Sequence, residues 1–404
     1  MGSKNFFLYL YATLVIMMTW PLFPAWIPAF VKIWYWYPVG VVFGFIFAKE
    51  YFRSKQFVYL VCYISVVFVN CFMGDKYIYD PIAATTRFLG LLFITSSPFV
   101  LFGKGKEKVS NFFVSFFLIL LVGVSIASFY WNSLFPGVIR DDISITGSDE
   151  MYEFAYLYRY GLTRYQFAHA VPIIVPPLVM AYKIRKRLLE KAFYAFVVFL
   201  CLVHTYVSNS TTAFMMAVIA LLLSILVSPS MTKKQTRRLV LLGLLLLPLL
   251  NENVSSSMLG LLDWATGSEG SIHEHIVDVQ QSILSNNYTG TVGARQDKYS
   301  TSWDMFFHNP LWGTNDEPGN HSVLLDHLGT YGLFGFVPFL AFLWAVFKGV
   351  KKYLRENETL YYYISGVCAL LMVALKNAHL WDICCFLFVA VPVFFIHLCR
   401  VKNK

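Results

Sequence analysis

The stretch Gly103-Lys-Gly-Lys-Glu-Lys108, followed shortly by Asn111-Phe-Phe-Val-Ser-Phe-Phe-Leu-Ile-Leu-Leu-Val-Gly-Val-Ser-Ile-Ala-Ser-Phe-Tyr130, decides the fold. The second part is an uncharged run close to the roughly 20 apolar residues that a bilayer core requires. The first part is a short lysine-rich turn of the kind retained on the cytoplasmic side of a membrane. Apolar runs joined by short turns recur along the whole chain. Hydrophobic residues make up 57% of the 404 positions and charged residues 14%, whereas soluble domains carry about 25% charged residues. The 18% aromatic content suits belts of Trp and Tyr at two membrane interfaces.

Hydropathy predicts an all-α polytopic membrane protein with about 12 transmembrane helices, and residues 1–404 read as a single integral membrane domain. The spans are expected near residues 5–23, 33–48, 56–73, 85–102, 111–130, 165–182, 190–207, 211–228, 237–250, 322–347, 359–376 and 380–398. Met1-Gly-Ser-Lys-Asn5 runs into an apolar segment without a small-residue cleavage site, so the first span is expected to stay uncleaved. The connections assigned to the cytoplasm, with both termini, hold 23 of the 32 Lys and Arg but only 5 of the 23 acidic residues. That asymmetry places both termini in the cytoplasm. It also removes a nucleic-acid partner from consideration, because the basic charge is divided among short turns.

Two connections on the outer face are long, at residues 131–164 and 251–321. Long loops that are ordered usually carry function. Within the second, Ser271-Ile-His-Glu-His-Ile-Val-Asp-Val-Gln-Gln-Ser-Ile-Leu284 has an amphipathic pattern that predicts a helix lying over the membrane. The seven cysteines lie in or beside apolar segments and form no C-x-x-C pair, which predicts neither a metal site nor a disulfide-stapled ectodomain. No repeat of 20–50 residues and no inverted repeat is visible, which weighs against a typical secondary transporter.

Only nine Lys or Arg lie away from the cytoplasmic face. Arg87 and Lys376 sit near the outer ends of the fourth and eleventh spans. There a long side chain lifts its charge to the interface or serves a function. Arg159 and Arg164 precede the sixth span, and Arg295 lies inside the large loop. Arginine's planar fork suits phosphate oxygens, and its charge does not titrate away.

The most specific stretch is Gly293-Ala-Arg295, Trp303, Phe307-His-Asn309-Pro-Leu-Trp-Gly313, His321-Ser-Val-Leu-Leu-Asp326 and Gly329-Thr-Tyr-Gly332-Leu-Phe-Gly335. This pattern resembles the signature of the O-antigen polymerase and O-antigen ligase superfamily. Arg159 and Gly161 before the sixth span resemble that superfamily's Arg-x-Gly element. The segment Ser208-Asn-Ser210-Thr-Thr212 departs from it, lacking the arginine that follows serine in many members.

The resemblance implies a GT-C-like membrane glycosyltransferase of the bacterial inner membrane with its active site on the periplasmic side. It implies an undecaprenyl-pyrophosphate-linked glycan donor, a glycan acceptor, a possible chain-length regulator as partner, and neither metal nor cofactor. Under that reading Arg159, Arg295, Arg164, Arg87 and Lys376 are candidates to hold the pyrophosphate, and Trp303, Asn309, Gly313 and Asp326 support the site. His321 is the candidate base for the acceptor hydroxyl, since an imidazole ordinarily titrates near pH 6.5, roughly where proton transfer is useful. His308, His273 and His275 are weaker rivals. A polymerase of repeat units is the favoured activity. A ligase moving finished glycan to lipid A-core is the alternative, and a polysaccharide transporter or flippase is the second.

Overall fold

A computed structural model describes residues 3–17, 37–72, 81–102, 107–134, 165–208, 210–228, 277, 290–314, 316–375 and 380–398. Among them the chain is helical, with no strand. The helices are α1 (Ser3–Met17), α2 (Tyr37–Phe47), α3 (Lys55–Asn70), α4 (Pro81–Leu101), α5 (Glu107–Leu134), α6 (Tyr165–Ile184), α7 (Leu188–Val207) and α8 (Thr211–Leu226). They continue as α9 (Gly290–His308), α10 (Val323–Lys351), α11 (Glu356–Leu375), α12 (Leu380–Cys385) and α13 (Val391–Leu398). A π-helical segment, Phe386–Ala390, joins the last two.

Six of these helices are long and apolar enough to cross a bilayer, in α4, α5, α6, α7, α10 and α11. Their outward faces carry large apolar side chains such as Ile119, Phe199, Val337 and Leu370. The protein is a helical membrane protein, and burial inside it rather than in water organises its core. Five shorter apolar helices occupy other expected spans, at Phe6–Ile16, Tyr37–Phe47, Lys55–Asn70, Thr212–Leu226 and Ile383–His397. The span expected at 237–250 and most of the amphipathic segment 271–284 lie outside the described residues.

Helix α6 is the axis of one packed group. Nearly every residue from Phe167 to Ala181 is buried against α7, α8, α11 and α13. Its three prolines, Pro172, Pro176 and Pro177, sit inside the helix, which is tolerated where neighbours supply lost backbone partners; Ser365 of α11 donates to the Ile173 carbonyl at 2.8 Å. Helices α2 and α4 meet through the pair Gly40-x-x-x-Gly44. A Cβ on Gly40 would lie 2.7 Å from the Phe93 ring, and one on Gly44 would lie 2.8 Å from Ser96 Oγ, so small residues permit the close approach.

Helix α3 lies along α10 and is pinned to it by polar groups at both ends. Gln56 Nε2 donates to the Ala345 carbonyl at 3.1 Å. Asn70 Nδ2 donates to the carbonyls of Trp312 and Thr330 at 3.0 and 3.1 Å. Cys384 and Cys385 lie in the core, and no disulfide joins the cysteines among the described residues.

Candidate functional site

The span expected at 322–347 matches α10, and it is broken inside rather than a continuous helix. Gly332 has φ 56° and ψ −166°, a conformation outside the helical region, and it divides α10 into a short N-terminal piece and a long C-terminal one. Such a break exposes carbonyls on one side and amides on the other, and in a membrane each must be satisfied by protein.

The Asn309-Pro-Leu-Trp-Gly313 turn supplies most of these partners. The amides of Leu333 and Phe334 donate to the carbonyls of Pro310 and Leu311 at 2.9 and 3.0 Å. The Gly329 carbonyl accepts from the Thr314 amide at 3.3 Å, and the Thr330 carbonyl accepts from Asn70. The fit is too close for side chains. Gly313 has φ 78°, and a Cβ there would collide with the Thr330 carbonyl; a Cβ on Gly332 would lie 2.6 Å from the Gly313 nitrogen. Asn309 Oδ1 accepts from the Trp312 amide at 3.4 Å, closing the turn. Asn309, through its side-chain oxygen, and Gly313, through its backbone, thus hold the turn against the break in α10.

Beside this wedge, α9 and the start of α10 form a second knot. The Ser302 hydroxyl donates to Asp326 Oδ1 at 2.7 Å and accepts from the Gly319 amide at 3.1 Å. The Asp326 carboxylate also accepts from the backbone amides of Asn320, His321 and Ser322. Asn320 takes φ 55°, reversing the chain, and Ser322 caps α10 by accepting from the Leu325 amide at 3.2 Å. Asp326 thus fixes the backbone that presents His321. The His321 ring packs against Tyr299 at 5.5 Å between centroids, and the Tyr299 hydroxyl donates to the Leu375 carbonyl at the end of α11.

No protein-family model matches the chain, and no curated protein is similar enough to count as a relative. The site is therefore read from its own residues. Arg159, Arg164 and Lys376 lie outside the described residues, and the Arg295 side chain is not described although its backbone belongs to α9. Arg87 is half-buried on α4, and its charge acts on His327 of α10. Trp303 is 40% exposed and stacks on Phe307 at 5.7 Å on the surface of α9.

Two features escaped the sequence. His327 lies one residue beyond Asp326. Its Nδ1 donates to the Val323 carbonyl at 2.7 Å, and its ring stacks on Phe339 at 4.5 Å. A cleft of about 260 Å³ opens at the 309–313 turn, bordered by Asn70, His308, Asn309, Trp312, Gly313, Thr314 and Asp316. Its border holds hydrogen-bonding groups and no Lys or Arg, a lining suited to hydroxyl-bearing ligands and not to phosphate. Among the described residues no three His, Cys, Asp or Glu gather where one metal ion would bind.

Proposed function

We propose that the protein is a membrane glycosyltransferase of about twelve spans and GT-C-like fold, with both termini in the cytoplasm of a bacterium. In this reading it polymerises undecaprenyl-pyrophosphate-linked oligosaccharide repeat units of an O-antigen, capsule or exopolysaccharide on the periplasmic face. The observation that supports it most is the pair of adjoining hydrogen-bonded networks, the 309–313 turn against the break at Gly332 and the Asp326 carboxylate on the backbone that presents His321. These same residues carry the superfamily resemblance. In the reaction, His321 accepts the proton of the acceptor hydroxyl. That oxygen attacks the anomeric carbon of the donor sugar, and the bond to pyrophosphate breaks. Arginines drawn from Arg159, Arg164, Arg295 and Arg87, with Lys376, stabilise the departing charge, so the step calls on no metal. The polar cleft beside the turn, bordered by Asn70, Asn309 and Asp316 and by no Lys or Arg, suits a sugar.

Deletion in the host tests this reading. A polymerase deletion leaves surface glycan as single repeat units. A ligase deletion leaves full polymer on its lipid carrier. The transporter reading has the α10 break in its favour, because discontinuous helices are common in transporters; its deletion strands repeat units on the cytoplasmic side.

A further inference from the structure

Helix α8 starts at Thr211 with Ser210 as its N-cap residue, and its two ends are treated differently. At the C-terminal end Lys183 Nζ donates to the carbonyls of Ser224, Ile225 and Val227 at 2.9, 2.6 and 2.6 Å. A cation there complements the negative end of the helix dipole. At the N-terminal end the first turn has no acidic residue, and the Ser210 side chain makes no capping bond. Elsewhere serine caps are engaged: Ser54 accepts from the Phe57 amide and Ser322 from the Leu325 amide.

Ser210 is only 1% exposed, and its Oγ has no hydrogen-bond partner among the described residues. Nearby hydroxyls are committed, Thr205 to the Leu202 carbonyl and Ser208 to the Thr205 carbonyl. A buried hydroxyl left unpaired is costly, and each such group calls for an explanation. Helix N-termini bind anions, because amides and the dipole point at the same place. A serine hydroxyl adds a donor at that spot.

We propose that the α8 N-terminus, with the Ser210 hydroxyl, is a phosphate-binding site. That the natural phosphate is the pyrophosphate of the lipid-linked donor rests on the glycosyltransferase reading; the anion site itself does not.

Thermal unfolding of the full chain in detergent, titrated with inorganic pyrophosphate, tests the site without turnover. Wild type is expected to be stabilised. Ser210→Ala should bind pyrophosphate about tenfold or more weakly, as for the loss of a hydrogen bond to a charged group. Ser210→Asp introduces a carboxylate that caps the free first-turn amides, so its own stability should hold while the pyrophosphate response disappears through repulsion. Ser210→Asn, a neutral cap that still donates, should retain most of the response. An unresponsive wild type, or a full response in Ser210→Ala and Ser210→Asp, overturns the site. So does stabilisation by phosphatidylglycerol micelles without any by pyrophosphate, which marks an ordinary lipid headgroup contact. A Ser210-dependent response in a protein that makes no polymer leaves the site standing and removes only the glycosyltransferase reading.

Discussion

Ser302 on α9 donates its hydroxyl to the buried carboxylate of Asp326 on α10 at 2.7 Å, while the same carboxylate holds the backbone amides of residues 320–322. One acid therefore locks the chain reversal that presents His321. Asp326→Ala leaves these donors unmatched and should destabilise by roughly 2–3 kcal/mol, with Ser302→Ala costing about 1 kcal/mol. The double variant should cost less than the sum, because the two side chains share one interaction. Denaturant unfolding of the four proteins in detergent measures the coupling, and strict additivity would separate the pair.

The glycine wedge gives a second expectation. Gly313→Ala and Gly332→Ala each place a Cβ on backbone and demand positive φ, so both should lower protein yield and thermal stability markedly. Gly123→Ala on α5 meets nothing within 4 Å and should be neutral or stabilising by up to about 1 kcal/mol. Comparison of folded yield across the three variants checks the wedge; equal tolerance would mean the break is dispensable.

Asn70 bridges the turn and the break through two carbonyls. Asn70→Ala should destabilise by about 1–3 kcal/mol. Asn70→Asp should do worse than alanine, since a carboxylate has no donor for those carbonyls and repels them. Thermal midpoints of the two variants decide the order.

The outer surface of α9 is divided lengthwise. Trp303 and Phe307 are exposed and continue into exposed Leu311 and Phe334, whereas Asp297, Thr301 and Asp304 face out beside them. The apolar stripe should sit in the membrane interface and the polar one in water. A spin label on Phe307→Cys should be relaxed by oxygen, and one on Asp304→Cys by a water-soluble nickel chelate. Equal exposure of both labels to the chelate would lift α9 clear of the bilayer.

Much of the helical frame was legible because hydropathy reports burial in lipid directly. The runs at 111–130, 165–182 and 190–207 match α5, α6 and α7 closely. The cap at Ser322 and the reversal at Gly319-Asn320 were also readable, since these residue types have local conformational causes. The break at Gly332 was not. Its spacing from Gly329 and Gly335 is visible, but its positive φ depends on a turn 20 residues earlier docking against it. Ser210 and His327 escaped for the same reason: burial and partners arise from tertiary packing that no local pattern encodes. The hold of Asp326 on the backbone amides of Asn320, His321 and Ser322 arises from the chain reversal folding back on the carboxylate, which residue types alone do not reveal.

The most direct test of the glycosyltransferase reading is turnover by the purified full chain in lipid nanodiscs carrying the host's own undecaprenyl-pyrophosphate-linked repeat units. Wild type is predicted to build a ladder of polymer lengths and release undecaprenyl pyrophosphate. His321→Ala should still bind the donor but turn over about 10²–10⁴ more slowly, the usual worth of general-base help. A wild-type protein that leaves the lipid-linked units intact would contradict the account, and a His321→Ala variant polymerising at the wild-type rate would remove the base assigned to it.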